Sequence, residues 1–321
     1  MTGASILVTG ATGFIGHQLC RALVESGKRV RGLVRVPATL PPGVEPAECT
    51  DLLDRAAIRS ALRGVDAVVH LAARVHVMAD RSADPLTEFR RTNVEGTRIL
   101  LEESLAVGVR KLVLLSSVKA VGEATDVTWT EETPPAPTDP YGISKLEAER
   151  LVHELTAHSA LAASVLRLPL VYGPGVRANM LRLFQLVDRG VPLPLGRVHN
   201  RRSLAYVENV VAAIQAVMTS PAAAGHTFFA SDSRALSTPD LIRAIARALG
   251  RPARLLPVPE AFLRAARLFP AGRAAADRLL GSLVVDSSKL TRITGFSPPY
   301  DVEHGLRLTA RWYRERSAER R

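Results

Sequence analysis

Ser5-Ile6-Leu7-Val8-Thr9-Gly10-Ala11-Thr12-Gly13-Phe14-Ile15-Gly16 is the stretch whose reading decides the fold. It passes from an apolar run, through a turn with a glycine at every third position, into an amphipathic segment, which is the order strand, turn, helix. Gly10 suits the tight turn, Gly13 lets backbone approach a ligand, and Gly16 lets helix and strand pack closely. The free N–H groups around Thr12, Gly13, Phe14, Ile15 and Gly16 then face a diphosphate, which the helix dipole favours. Such a turn also arises for steric reasons alone, so the rest of the chain has to carry the reading.

Outward from this turn, apolar runs alternate with amphipathic ones. Strands are expected at 6–9, 30–34, 67–71, 111–116 and 163–168, and helices at 15–26, 55–62, 93–106 and 141–158. The alternation predicts an α/β fold, a doubly wound parallel Rossmann sheet whose ligand crevice lies beyond the carboxyl ends of its strands. At roughly 150 residues per domain, 321 residues suggest two units. The expected division is a dinucleotide-binding domain over 1–168 and a smaller substrate lobe over 169–321, with 203–219 returning to the first.

Composition narrows the function classes. With 47% hydrophobic and 23% charged residues the chain reads as an ordinary globular protein. No apolar stretch reaches the roughly 18 residues of a bilayer span and no signal peptide opens the chain, so a cytoplasmic location is expected. Cys20 and Cys49 support neither a disulfide framework nor a metal site, and no metal-ligand spacing or internal repeat occurs. The net charge of +11 comes with only 5% aromatics, not interleaved with the basic residues. That argues against single-strand nucleic-acid platforms and for an anionic small ligand.

The strand ends supply the candidate site. Arg35 stands where a carboxylate would commonly hold the ribose of NAD, and its guanidinium would suit the 2′-phosphate of NADP. Asp51 and Leu52 follow a proline-rich loop; the carboxylate either reaches the adenine or caps a helix. Leu71, Ala72 and Ala73 end the third strand with small residues that let a ring lie close to backbone. His70, inside that apolar run, reads as a satisfied core histidine. Asn93 either braces a neighbouring loop or caps the long helix.

Chemistry enters at Pro137-Thr138-Asp139-Pro140-Tyr141-Gly142-Ile143-Ser144-Lys145. Asp139 as N-cap and Pro140 as first helical residue place Tyr141 and Lys145 four apart on one face. The ammonium is expected to lower the pKa of the phenol, making Tyr141 the acid/base and Lys145 its tuner. Ser116 and Ser117, ending the strand from Lys111, bring a hydroxyl to the same edge, where it would polarise a carbonyl that receives a hydride.

Together these segments resemble the extended short-chain dehydrogenase/reductase family, the NAD(P)-dependent epimerase/dehydratase group that acts on nucleotide sugars. The resemblance implies Ser117 as the catalytic serine, Lys145 as holder of the nicotinamide ribose, and Pro169 beside the nicotinamide. It also implies Asn179 and Arg202 on the nucleotide diphosphate, and a homodimer formed through helices such as 93–106 and 141–158; Arg278, read from the basic stretch 260–283 and not from the resemblance, is expected to reach a phosphate. Members that are 4,6-dehydratases carry an Asp-Glu pair where Val118-Lys119 stands, and typical 4-epimerases carry a tyrosine where Val121 stands. Ser116 to Lys119, Asn200 to Leu204 and Leu280 to Ser288 look like bacterial UDP-sugar C4 reductases of surface-polysaccharide synthesis. A UDP-hexose 4-epimerase and a dinucleotide-binding regulator without chemistry remain as alternatives. The basic stretch 260–283 is expected as a helix pair on the sugar lobe, and the charged tail after Trp312 is expected to fray.

Overall fold

The computed structural model describes residues 4–75, 84–265 and 279–318. Its main sheet has seven strands in the order β3-β2-β1-β4-β5-β6-β9, every pairing parallel. These are β1 Ser5–Thr9, β2 Arg29–Val34, β3 Val44–Glu48, β4 Ala67–His70, β5 Lys111–Ser117, β6 Ala162–Leu168 and β9 Thr227–Phe229. The chain builds outward from β1 in one direction, then returns to lay β4 on its other side. That reversal opens a crevice at the carboxyl ends of β1 and β4.

Side-chain alternation puts a core on each face of the sheet. Ile6, Val8, Val69, Val113 and Leu115 point to one side and pack with helices α1 (Phe14–Glu25) and α7 (Val207–Thr219). Leu7, Val68, Leu112 and Leu114 point to the other, with α2 (Arg55–Ala61), α4 (Gly96–Ala106) and α5 (Pro140–Thr156). A further core gathers Tyr172, Phe184, Tyr206, Ile245, Leu306 and Tyr313. It involves the two-stranded sheet β7 (Leu170–Tyr172) with β8 (Leu204–Tyr206), and helices α6 (Ala178–Asp188) and α8 (Thr238–Leu249).

The five strands expected from the apolar runs all occur, with ends within about one residue. Other elements carry weaker sequence signals. Strand β3 contains Pro46 and two glutamates, as suits an exposed edge strand, and β9 is three residues long. A helix α3 (Pro85–Arg90) passes through a π-helical turn, Arg91–Glu95, into α4, so Asn93 lies inside a continuous helical stretch and caps nothing. The tail does not fray at Trp312: a helix runs from Val302 to Ala318, because Tyr313 packs on Phe184 at 5.9 Å and donates to Asp188 at 3.2 Å. Of the stretch 260–283, the described part includes a short helix α9, Glu260–Ala265.

The glycine turn is held by close approach. Gly10 has φ +69°, and a Cβ there would lie 2.9 Å from the Ala72 nitrogen; at Gly16 it would lie 2.1 Å from the Gly10 carbonyl oxygen. Both obstacles are backbone and cannot rotate away. Gly16→Ala is therefore expected to lower stability by about 2 kcal/mol, read from the urea midpoint; an unchanged midpoint would contradict this packing.

Candidate active site

The crevice is bounded first by the turn between β1 and α1. Gly13 is the N-cap of α1 and no side chain caps that helix, so its first-turn N–H groups lack a side-chain acceptor. With Gly10, Gly13 and Gly16 keeping side chains out of the way, these donors fit a diphosphate of a dinucleotide. Thr12 and Gly13 are exposed, and Phe14 and Ile15 half-buried. Leu71, Ala72 and Ala73, each half-buried, line up beyond β4, as expected.

Beneath this turn lies a buried chain of hydrogen bonds. Leu71 and Ala72 donate their N–H groups to Thr9 Oγ1 at 3.1 and 3.0 Å. The Thr9 hydroxyl then donates to His70 Nδ1 at 2.7 Å, and His70 Nε2 donates to Thr97 Oγ1 at 3.0 Å. Thr97 passes its own proton to the Asn93 carbonyl at 2.6 Å. Burial pushes the His70 imidazole down to about 3, so it stays neutral, a satisfied core histidine as the sequence suggested.

Asn93 extends the chain with its side chain. Its Oδ1 accepts from the Arg74 N–H at 2.7 Å, while Nδ2 donates to the Arg74 carbonyl at 3.0 Å and to Ser144 Oγ at 2.9 Å. Ser144 donates in turn to the Tyr141 carbonyl at 2.8 Å. The amide therefore braces the loop after β4 and reaches the helix that carries Tyr141.

That helix starts as its sequence predicts. Asp139 accepts from the Gly142 N–H at 2.8 Å and Pro140 is the first helical residue. Tyr141 packs its ring on Phe89, centroids 6.0 Å apart, with the Ser117 hydroxyl close enough to act on its phenol. Ser117 ends β5 and also accepts from the Lys119 N–H at 3.2 Å. Ser116 is buried, and its hydroxyl has no hydrogen-bond partner among the described residues.

The electrostatics differ from expectation. The Tyr141 phenol is pushed up to about 12, chiefly by burial, with Ser117 opposing the rise and Asp139 and Glu149 adding to it. Lys145 does not acidify it: its ammonium donates to the Leu115 carbonyl at 2.6 Å and is itself pushed down to about 8 by burial. Spacing put the two side chains on one face but could not say that a strand-end carbonyl would claim the ammonium.

The remaining candidates scatter. Arg35 is exposed at the end of β2. Asp51 accepts from the Leu53 N–H at 3.1 Å and from Arg91 at 2.6 Å, while the cap of α2 is Asp54, so the capping alternative for Asp51 is corrected. Leu52 packs at 3.0 Å from the Cβ position of Gly96. Pro169 is buried between β6 and β7, and Asn179 is exposed in the first turn of α6. Arg202 is half-buried, and its guanidinium donates to the Gly281 carbonyl at 3.0 Å. Arg278 lies outside the described residues.

Two residues near Lys145 went unremarked in the sequence. Glu149 and Arg167 are 2% and 5% exposed and form an ion pair at 2.7 Å. Glu149 lies one helical turn beyond Lys145, and Arg167 interrupts an apolar run; those were the available signals.

The sequence profile of the NAD dependent epimerase/dehydratase family matches residues 6–229. The chain is 38% identical to a UDP-glucose 4-epimerase of Vibrio cholerae over 95% of this chain and 94% of that one. It is 32% identical to a dTDP-glucose 4,6-dehydratase of Streptomyces griseus over 96% and 93%. Among solved structures, MoeE5 in complex with UDP-glucose and NAD is similar with a TM-score of 0.79 and 28% identity, covering 98% of this chain and all of that one. The chain belongs to the NAD dependent epimerase/dehydratase family.

Proposed function

We propose that the protein is an NAD(P)-dependent oxidoreductase acting at C4 of a nucleotide sugar, and that it reduces a UDP-4-keto-6-deoxy-hexosamine to the 4-hydroxyl product for surface-polysaccharide synthesis. The observation that carries this reading is the meeting of Tyr141, in the first turn of α5, with Ser117, which ends β5, at the carboxyl ends of the strands, where burial favours the protonated phenol. A neutral phenol is a proton donor, which is what ketone reduction asks of it. The nicotinamide supplies the hydride when it is bound. Tyr141 gives its proton to the 4-oxygen, the Ser117 hydroxyl polarises that oxygen and opposes the rise of the phenol, and the Lys145 ammonium stays on the Leu115 carbonyl at the end of β5.

Gly10, Thr12, Gly13, Phe14, Ile15 and Gly16 would hold the cofactor diphosphate, with Leu71 to Ala73, Ser116 and Pro169 around its other end and Asn93 bracing the loop after Ala73 from behind. Arg35 favours NADP at the ribose, whereas the similar MoeE5 structure is a complex with NAD. On the substrate side, Asn179 and Arg202 would meet the UDP diphosphate, with residues 169–202 and the segments after β9 forming the sugar lobe. Dehydration is disfavoured: Val118 is buried with Trp129, Phe229 and Val285, and Lys119 is ion-paired to Asp139, so neither supplies a carboxylate base. A UDP-hexose 4-epimerase is the second reading, supported by the name of the 38% identical relative.

Incubation with a UDP-4-keto-6-deoxy-hexosamine and added NADPH or NADH is expected to consume one reduced cofactor per product, and Tyr141→Phe to lower kcat by roughly 100-fold or more. Interconversion of UDP-hexoses with retained NAD and no net cofactor consumption would give the epimerase instead. Unchanged output from Tyr141→Phe would point to a protein without this chemistry. In the cofactor-free protein, the near-ultraviolet phenolate signal that Tyr141→Phe removes is expected only as the pH approaches about 12; its rise at neutral pH would overturn the proton-donor assignment.

A further inference from the structure

Four polar side chains fall at successive turns on one face of α5: Tyr141, Lys145, Glu149 and His153. Lys145 and Glu149 are 3% and 2% exposed, a buried cation one turn from a buried anion, yet they do not pair. Glu149 is claimed by the neighbouring strand: Arg167 donates from Nε to both carboxylate oxygens at 3.1 Å and from Nη2 to Oε2 at 2.7 Å. The guanidinium is braced over the Phe229 ring of β9 at 5.6 Å. Lys145 turns the other way, to the Leu115 carbonyl at 2.6 Å.

We propose that Arg167 is a positioning residue for the reaction: by holding both oxygens of Glu149 it withholds that carboxylate from Lys145, and so keeps the ammonium at the end of β5 beside Tyr141. The proposal rests on the oxidoreductase reading above. Two buried cations share one buried anion, and the planar fork of the arginine is the better match for a carboxylate. Glu149 still raises the proton affinity of Lys145 through space, but burial outweighs it and no salt bridge forms between them.

The ionisable groups around Lys145 are few. Tyr141 and Glu149 lie on its own helix, the neutral His70 faces it from β4, and Arg167 stands behind Glu149 from β6. From β5 the contact is the Leu115 carbonyl. His153, the next residue along the stripe, is bonded to Thr227 at 2.8 Å, and burial pushes its imidazole down. Asp139 acts on Tyr141 and is occupied by Lys119.

The two partners of the pair therefore act with opposite sign. Glu149→Gln leaves Lys145 facing an uncompensated guanidinium, so its proton is lost at a pH lower by about one unit. Arg167→Met frees the carboxylate to pair with Lys145, and the proton is lost at a pH higher by about one unit. The double variant removes both charges, the guanidinium that repels Lys145 as well as the carboxylate that attracts it, and so recovers part of the downward shift. It also replaces a buried ion pair with neutral groups, a change that proteins tolerate far better than loss of one partner.

Only five lysines occur in the chain, so side-chain carbon NMR of lysine-labelled, cofactor-free protein can follow Lys145, assigned with Lys145→Arg. The expected result is a downward shift for Glu149→Gln that the double variant partly reverses, and an upward shift for Arg167→Met. If Arg167→Met does not fold, Glu149→Gln and the double variant still decide the matter. A Lys145 titration that ignores Glu149→Gln, or a double variant that titrates like Glu149→Gln, would overturn the proposal. Because this titration needs no substrate, an error in the substrate class leaves it unaffected. The alkaline limb of kcat/KM is expected to move with the NMR titration in each variant; a limb that stays fixed while Lys145 moves would sink the role in the reaction.

Discussion

The hydrogen bond between Thr9 and His70 is the constraint on which the site depends. Thr9 has one hydroxyl proton and accepts two backbone N–H groups, so its proton can go only to His70 Nδ1. That fixes His70 with its proton on Nε2, which requires Thr97 to accept there and to donate onward to the Asn93 carbonyl. Every step has one direction. The glycine turn after β1, the small residues after β4 and the helical stretch around Asn93 are thereby set against one another. Through Ser144 the chain of bonds reaches the backbone of Tyr141. A break inside it would leave a buried donor unpaired, at a cost of about 1–3 kcal/mol.

Burial is the second theme. The groups that would do chemistry lie in surroundings where charge is costly, so Tyr141 keeps its proton and Lys145 releases its proton more easily than a free lysine does. Behind them Glu149 is ion-paired with Arg167, whose Nε and Nη2 take both carboxylate oxygens. Those charges come from an interior helix position and an interior strand position, and they meet because β6 lies beside β5 in the sheet. Fold topology thus decides which charges the phenol and ammonium feel.

Much of this was legible in the sequence. The glycine spacing, the alternating strands, the Asp139-Pro140 helix start and the shared face of Tyr141 and Lys145 follow from local rules, and the structure has each of them. Contacts between distant segments were not legible. The spacing of Tyr141 and Lys145 gives their face but not what packs on it, so the Leu115 carbonyl and the raised phenol went unseen. Strand β9 is too short for its alternation to register, and the π-helical turn has no pattern that separates it from ordinary helix. Arg167 stood in plain view within an apolar run, where a charge that interior needs a partner, and Glu149 was the available one.

The most direct test of the account is nitrogen NMR of the His70 ring, assigned by the signal that His70→Gln removes. The bonding order described above predicts an imidazole protonated only on Nε2 and still neutral at mildly acidic pH, consistent with a pKa near about 3. A ring protonated on Nδ1, or one that titrates with the ordinary histidine value near about 6.5, would mean that the glycine turn and the Tyr141 helix are not joined in this way.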